Sequence, residues 1–456
     1  MNSTTPTTPA TPQTPIARRD FAKLLGATGL LATTGVAALA ARAASAARRE
    51  AYKERSSAAP TKTNTLINAT PAVYAPATDS ATIIWTLNAP ARGWVEYGTD
   101  PRNLTQRSGG DPFGFTPHDE RILKVRLRAL APATRYYWRA AAVPLPPLAP
   151  GATMNALPPE PPPAYTPVYS FTTLAPDAPE THFAIWNDTH LDKDTLTRLA
   201  ALTTGKNTVF PPGAPPAFLL LNGDITTSNN NPALFPDTYL HPAGVVDLAK
   251  GPPVFLARGN HDISGLWANK LTDYIDFPDT HENRVQRPYY AFRSGPLAAL
   301  VLDSGHPRPD NTPSHRGLLS LEPLIAEQTR WIETITQRPD IKNAPIKIAF
   351  CHLPLRWPDD RAQEALADTE NTDYKRVHGR NQWHAPLVKW GVRAIISGHT
   401  HRWAHIPADA DYPYAQIIGG GPNPKQARLL RCHCTTKTLR ITAHTMDGAE
   451  SATVTI

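Results

Sequence analysis

Cysteine is nearly missing, with three residues in a chain of 456. Cys432 and Cys434 stand too close along the chain to bridge easily, so a disulfide scaffold is excluded. All three cysteines read as structural or incidental. Long apolar runs are scarce as well: outside one stretch near the N-terminus, nothing is long enough to span a bilayer. Dense basic blocks are lacking too. The formal net charge is +7, of which Arg18, Arg19, Lys23 and Arg42, set against Asp20, supply three within residues 1–46. The other four are spread over the rest of the chain, so no nucleic-acid binding is expected. Proline, in contrast, is abundant at 49 residues and points to long irregular stretches. A chain of this length exceeds one ordinary core, and 41% hydrophobic content suffices for two packed domains plus extras.

Residues 1–15 are rich in Thr and Pro, a composition that builds no core. Arg18-Arg19-Asp20-Phe21-Ala22-Lys23 comes next, followed by an uncharged run from Leu24 to Ala41 and the small residues Ala44-Ser45-Ala46. Basic head, apolar middle and A-x-A end make a signal peptide over residues 1–46. The paired arginines with Phe21 and Lys23 resemble the twin-arginine export signal. Gly26, Thr28, Gly29, Thr33, Thr34 and Gly35 dilute the apolar run, whereas a membrane span is richer in Leu and Ile. An uncleaved anchor is the competing reading. The resemblance implies the twin-arginine machinery as a partner and a periplasmic or secreted protein. It also implies no transmembrane helix in the mature chain.

After a linker over residues 47–65, short β-rich runs separated by turns begin. They are Thr82–Leu87, Gly93–Gly98, Ile122–Leu127, Arg135–Ala140 and Tyr169–Thr173. Alternating large apolar residues at this spacing predict an immunoglobulin-like sandwich over residues 66–175. Val95-Glu96-Tyr97-Gly98 and the run Leu130-Ala131-Pro132 through Thr134 to Tyr136-Tyr137 resemble fibronectin type III domains. In particular, they are similar to those that precede purple acid phosphatase catalytic domains. A Pro-rich insert from Val143 to Pro167 is expected to be an extended loop. Composition changes at Pro176-Asp177-Ala178-Pro179, the expected interdomain linker.

From Thr181 onward, apolar runs end repeatedly in polar residues. Phe183–Trp186 leads into Asn187-Asp188-Thr189-His190, and Phe218–Leu221 into Asn222-Gly223-Asp224. Val254–Ala257 leads into Arg258-Gly259-Asn260-His261-Asp262, Ile346–Phe350 into Cys351-His352, and Ala394–Ile396 into Gly398-His399-Thr400-His401. Strand ends in an α/β sheet converge on one edge, where sites form. Imidazole suits zinc, iron and manganese, while carboxylate and amide oxygens suit harder ions. Asp188 and His190, like His399 and His401, stand two apart, so on extended chain both members face one side. The glycines at 223, 259 and 398 permit sharp turns and close backbone approach. Singly, each motif reads as a turn, a surface cluster or a core histidine; five in order read as one site.

This series resembles the calcineurin-like metallophosphoesterase superfamily, over a catalytic domain of residues 180–456. Glu327-Gln328-x-x-Trp331-Ile332 is also similar to a helix of its phosphatase branches. The resemblance implies an α/β fold, a four-layer α/β/β/α sandwich, behind the all-β N-terminal domain. It implies two metal ions (Fe, Mn or Zn), one held by Asp188, His190, Asp224 and His401. The other takes Asp224, Asn260, His352 and His399, so Asp224 bridges. His261 is the implied catalytic histidine beside the phosphate, and Asn260 would also touch substrate; from adjacency alone, Asp262 is expected to orient the His261 ring. Arg258 reads either as a phosphate contact or as a surface charge. Such a pair of ions activates a water and polarises phosphoryl oxygens. No serine or cysteine nucleophile motif appears.

Three departures qualify the likeness. The first motif of purple acid phosphatases lacks a histidine at the place of His190, and their metal-binding Tyr is replaced here by Thr227. The purple colour is therefore not expected, and the Gly-Asp-x-x-Asp form common in the family is not met. The expected function is an exported two-metal phosphomonoesterase acting on a small phosphate ester. A phosphodiesterase is the alternative. A non-enzymatic envelope-binding module with a structural metal site is the competitor from another class.

Overall fold

The computed structural model of the chain describes residues 65–110, 114–147, 159–279, 286–358 and 374–456. The expected export leader, most of the linker and the middle of the Pro-rich insert lie outside the described residues. Among the described residues, no helix is long and apolar enough to cross a membrane.

The first strands are β1 (Ala72–Tyr74), β2 (Ala81–Thr86), β3 (Ala91–Gly98), β4 (Gln106–Ser108) and β5 (His118–Asp119). They continue with β6 (Ile122–Leu127), β7 (Arg135–Pro144), β8 (Ala164–Tyr165) and β9 (Tyr169–Thr172). Along β6, Leu123, Val125 and Leu127 are buried while Ile122, Lys124 and Arg126 are only partly covered, the period-two signature of a strand with one face inward. One layer runs β1-β2-β6; the other runs β4-β3-β7-β8, with β5 on β3 and β9 on β7. Ile83, Trp85 and Val125 of the first meet Val95, Tyr136 and Trp138 of the second in one core.

Strand β7 runs two residues into the Pro-rich insert, and β8 pairs back on it. The expected loop from Val143 to Pro167 is thus corrected at both ends. Val143 is buried with Trp94 and Ala141, and Pro144 is tolerated because it is the last residue of the strand.

The catalytic half begins with β10 (Glu180–Trp186), β11 (Phe218–Asn222) and β12 (Val254–Ala257). A second group comprises β13 (Tyr290–Ser294), β14 (Leu297–Val301), β15 (Ile346–Phe350), β16 (Ala394–Ser397), β17 (Ala404–Ile406) and β18 (Ala415–Ile418). The last three are β19 (Leu429–Thr435), β20 (Leu439–His444) and β21 (Glu450–Thr455). Sequence alone separates the two halves at 176–179, yet the sheet does not break there. Strand β1 pairs in parallel with β12 at Tyr74↔Val254. A nine-stranded sheet results, ordered β21-β20-β19-β10-β11-β12-β1-β2-β6.

A six-stranded sheet, β13-β14-β15-β16-β18-β17, packs against it. Aromatic rings fill the space between: Phe255 stacks on Phe292 at 4.1 Å, and Phe350 meets Phe183 edge-on at 6.4 Å. Truncating such a buried Phe to Ala typically costs about 3–5 kcal/mol. Helix α1 (Lys193–Thr204) covers the outer face of the nine-stranded sheet. It is N-capped by Asp192, which accepts from Thr195 N at 2.9 Å. Its Thr203 Oγ1 accepts from Trp186 Nε1 at 3.1 Å. Helices α2 (Glu322–Ile335) and α3 (Tyr374–Trp390) bury Ile325, Ile332, Trp383 and Leu387 against Leu300 and Ile395 of the other sheet. The layers therefore run helix, sheet, sheet, helix. Because β10, β11 and β12 are parallel, as are β14, β15, β16 and β18, their carboxyl ends line one edge.

Candidate metal centre

Five strand ends carry polar residues to that edge: Asp188 and His190 past β10, Asp224 past β11, Asn260 past β12, His352 past β15, His399 and His401 past β16. Asp188, Asp224 and His352 are at most 1% exposed, and His190 and Asn260 are 6% exposed. The backbone turns sharply to place them. Asp188, His190, Leu191, Asp224, His399 and His401 all have positive φ. Each such residue costs of order 1–3 kcal/mol and persists only where surroundings over-determine it. Gly223 (φ +85°) and Gly259 admit close approaches, since a Cβ there would collide with the His352 ring and the Asp224 carboxylate respectively.

The donor atoms form two overlapping groups. Asp188, His190, Asp224 and His401 offer ligand atoms within 4.8 Å of one another, and so do Asp224, His352 and His399. Asp224 belongs to both. Its Oδ1 accepts from His261 N at 2.8 Å. Its Oδ2 lies 3.1 Å from His352 Nε2 and 3.7 Å from His190 Nε2. His401 Nε2 is 3.1 Å from His190 Nε2 and 3.5 Å from Asp188 Oδ1. Donors sharing one ion at bonds of about 2.0–2.2 Å stand roughly 3–3.5 Å apart, so the spacing fits bound cations.

A second observation points the same way. Asp224 Oδ2, His352 Nε2 and Asn260 Oδ1 are buried without a hydrogen-bond partner. Burying such groups unpaired costs about 1–3 kcal/mol each, more when charged. The groups behind them are held firmly. His352 Nδ1–H donates to Asn222 O at 2.9 Å, which turns Nε2 toward Asp224. Both Asp188 oxygens accept from His399 N at 2.9 Å.

Charge follows from burial. Burial is the largest cause that pushes His190 down to about 3 and His401 down to about 4, so both rings stay neutral and keep lone pairs near pH 7. Burial lifts Asp188 well above the usual carboxylate range, with Asp224 adding to the lift. Burial acts upward on Asp224 too, but His352 and the other histidines outweigh it and hold it low. On His352 burial acts downward, and Asp224 with Asp188 overcomes it to raise the ring to about 10. The residues present suit metal ions of the two-ion class.

His261 lies one step out, with its side chain 41% exposed and Nε2 4.0 Å from Asp224 Oδ2. Its Nδ1–H donates to Thr227 O at 2.7 Å. The expectation that Asp262 orients this ring is corrected. Asp262 instead accepts from the N–H groups of Asp224, Ile225 and Gly259 at 2.8–3.1 Å, tying two site loops together. It is fully buried, and that burial, reinforced by Asp224, raises it to about 6. Arg258 is neither a surface charge nor an uncommitted phosphate contact. Its Nε–H donates to Asp303 at 2.8 Å, and the two side chains are 16% and 0% exposed.

Asp303 belongs to a sixth strand end that sequence reading passed over, Asp303-Ser304-Gly305-His306 beyond β14. The signal was the same apolar run closing on polar residues. Gln328 of α2 clamps this turn, accepting from Asp303 N at 2.8 Å and donating to Asp303 O at 2.9 Å. Asp303 then fixes Arg258 beside Asn260. His306 is pushed down to about 3 by burial first, then by His315, Arg308, His261 and His399, which places it in electrostatic reach of the centre.

Residues 181–403 match the calcineurin-like phosphoesterase family. A purple acid phosphatase isolated from yellow lupin (Lupinus luteus) seeds shares the fold at TM-score 0.58 and 15% identity, over 85% of this chain and 73% of that one. PhoD does so at TM-score 0.57 and 11% identity, over 87% and 90%. At these identities the likeness is one of fold. No curated protein matches the sequence.

Proposed function

We propose that this phosphoric ester hydrolase, which carries a calcineurin-like phosphoesterase domain over residues 181–403, is an exported two-metal phosphomonoesterase. The observation that carries the reading is the shared carboxylate. Asp224 is common to both donor groups, so one buried carboxylate would serve both cation positions. Asp188, His190, Asp224 and His401 would hold one ion; Asp224, Asn260, His352 and His399 would hold the other. Bound, the pair would supply an activated water and polarise the phosphoryl oxygens. His261 is placed to hold a proton at Nε2 for the leaving oxygen, because Thr227 O fixes its Nδ1–H on the far side. Gln328, Asp303 and Arg258 position the loop that carries Asn260 and His261.

The N-terminal strands support a fibronectin type III-like module over residues 66–175. Three strands, β1-β2-β6, face β4-β3-β7-β9, and the hydroxyl of Tyr136 near the start of β7 accepts from Ala131 N at 2.9 Å. A tyrosine folded back on its own upstream backbone is a mark of such sandwiches. This architecture, shared with purple acid phosphatases, favours monoesters. His190, which they lack at that place, favours a diesterase. Assay of the metal-loaded protein on p-nitrophenyl phosphate and bis-p-nitrophenyl phosphate decides. Preference for the monoester supports the proposal, preference for the diester reverses it, and no turnover of either restores the binding-module reading.

Export rests on the Arg18-Arg19 leader. Replacing both with Lys should strand a reporter fusion in the cytoplasm; unchanged export would remove the twin-arginine route.

A further inference from the structure

His306 has no task in the two-ion reading, yet it stands at the same edge. Its strand β14 pairs in parallel with β15, which pairs in parallel with β16. The ends of those two neighbours carry His352 and His399. Neighbouring strands lie about 4.8 Å apart, so the three ends form one row. Two bonds tie the end of β14 to the centre. Ser304 Oγ accepts at 3.0 Å from the N–H of Leu353, the residue after His352. Asp303 accepts at 2.8 Å from Nε–H of Arg258, on the loop that carries Asn260 and His261. His306 itself stands outside both donor groups of the centre.

The loop around His306 is fastened along its length. Gly305 N–H donates to Asp303 Oδ1 at 2.8 Å. Asp310 Oδ2 accepts from the N–H groups of Leu321 and Glu322 at 2.7 and 2.9 Å, where α2 begins. The buried His315 ring meets that of His306 edge-on, with centroids 4.4 Å apart. His306 Nδ1 accepts from Arg308 N at 3.1 Å. That bond fixes the tautomer, since an unprotonated Nδ1 leaves the hydrogen of a neutral ring on Nε2. The two ring nitrogens point apart, so Nε2–H is directed away from the loop's own backbone. Among the described residues, it has no hydrogen-bond partner.

We infer that His306 is a substrate-contacting residue, whose Nε2–H donates to a phosphoryl oxygen on the side of the centre lined by Asn260, His352 and His399. The contact rests on the phosphoesterase reading of that centre. Burial first, then His315 and Arg308, keeps the ring neutral at pH 7, and His261 and His399 act on its charge from the same side. A neutral imidazole there donates to an anion without adding a positive charge beside the cation positions. Bonds from such donors to charged oxygens are stronger than those between neutral groups. A donor held in place by a fastened loop also needs no reorganisation when phosphate arrives.

Calorimetric titration of inorganic phosphate into the metal-loaded full chain tests the contact, alongside metal analysis and kinetics on p-nitrophenyl phosphate. His306→Asn keeps an acceptor for Arg308 N but loses the outer donor, whereas His306→Gln keeps a donor there. His306→Asn should bind phosphate at least about tenfold more weakly and raise KM by a similar factor, with both ions retained and kcat little changed. His306→Gln should stay close to wild type. A residue that merely supports its loop gives the reverse order, with His306→Asn intact and His306→Gln impaired. That reversal, equal phosphate binding by all three proteins, or loss of metal from His306→Asn overturns the contact. Metal-loaded wild type that neither binds phosphate nor hydrolyses p-nitrophenyl or bis-p-nitrophenyl phosphate overturns the phosphoesterase reading and the contact with it. Wild type that binds phosphate no more tightly than its variants overturns the role of His306 alone.

Discussion

Two clusters of buried charge in this protein are equally hidden from water and opposite in their bonding. At the seam where the N-terminal strands join the catalytic sheet, Asp276 is 2% exposed. Its Oδ2 accepts from Thr82 at 2.5 Å and from Arg126 at 2.7 Å, and its Oδ1 accepts from Gln286. Lys124 and Arg126 also bond the backbone beside it, at Thr272, Ile275 and Phe277. At the catalytic edge, Asp224 is 1% exposed, and its Oδ2 has no hydrogen-bond partner. A buried charge is tolerated when it is paired. The seam provides the pairing through well-formed hydrogen bonds; at the edge Asp224 Oδ2 has only the His352 ring 3.1 Å away, a group that a bound cation would also engage. Burial alone therefore does not separate structure from function, but the number of satisfied acceptor sites does.

The comparison breaks most plainly at Asp224. On the proposed ligand assignment, Asp224→Ala loses both catalytic ions and lowers turnover by at least about 10³-fold. Metal analysis that still finds two ions at that centre would show that Asp224 does not join them.

His261→Ala comes next. Loss of a positioned acid costs about 10²–10⁴ in rate. The loss should fall mainly on alkyl phosphates, because p-nitrophenolate leaves without protonation. Both ions should remain. Equal losses on the two substrates would leave charge stabilisation as the role, and metal loss would make the residue a loop support.

What the sequence makes legible follows from chain distance. The five strand-end motifs are contiguous, so Asp188, His190, Asp224, Asn260, His261, His352, His399 and His401 can be read from local pattern, and the structure brings them to one edge. Asp262 is misread for the same reason, since adjacency to His261 suggests a contact that the turn does not make. Tyr74↔Val254 is invisible to local reading: a three-residue strand recruits a partner 180 positions away, and nothing in Ala72-Val73-Tyr74 marks it as interior. The stacking of His182 on His433 is hidden likewise, because it exists only through the register of β10 on β19.

The seam gives the next test. Asp276→Ala takes one of two carboxylates from buried Arg126, which keeps Asp279 at 3.1 Å, and the loss should approach the about 3–5 kcal/mol of a broken buried pair. Urea unfolding should show that loss, while the folded, metal-loaded variant keeps its turnover. Replacing both partners, with Arg126→Met and Asp276→Leu together, should recover most of the stability. A double variant as weak as Asp276→Ala would mean the seam depends on the charges themselves.

The finest contrast is in acid. Burial acts upward on Asp276, but Arg126 and Lys124 outweigh it and hold the group below the usual carboxylate range. A depressed carboxylate adds stability above its unfolded value, about 3.9, and that contribution is lost as pH falls through the folded value. Asp188 has the opposite sign in metal-free protein, because burial and Asp224 raise it. Its ionised form opposes folding, and that penalty fades as pH falls through the raised folded value. In chelator-stripped protein, Asp276→Asn should therefore be less stable than wild type at pH 7, with the gap closing below about pH 4. Asp188→Asn should be more stable than wild type at pH 7, with its advantage shrinking on acidification. Urea titrations of the three proteins across that range measure both differences. If Asp188→Asn instead loses stability at pH 7, its bonds from His399 outweigh the charge penalty, and the catalytic edge resembles the seam after all.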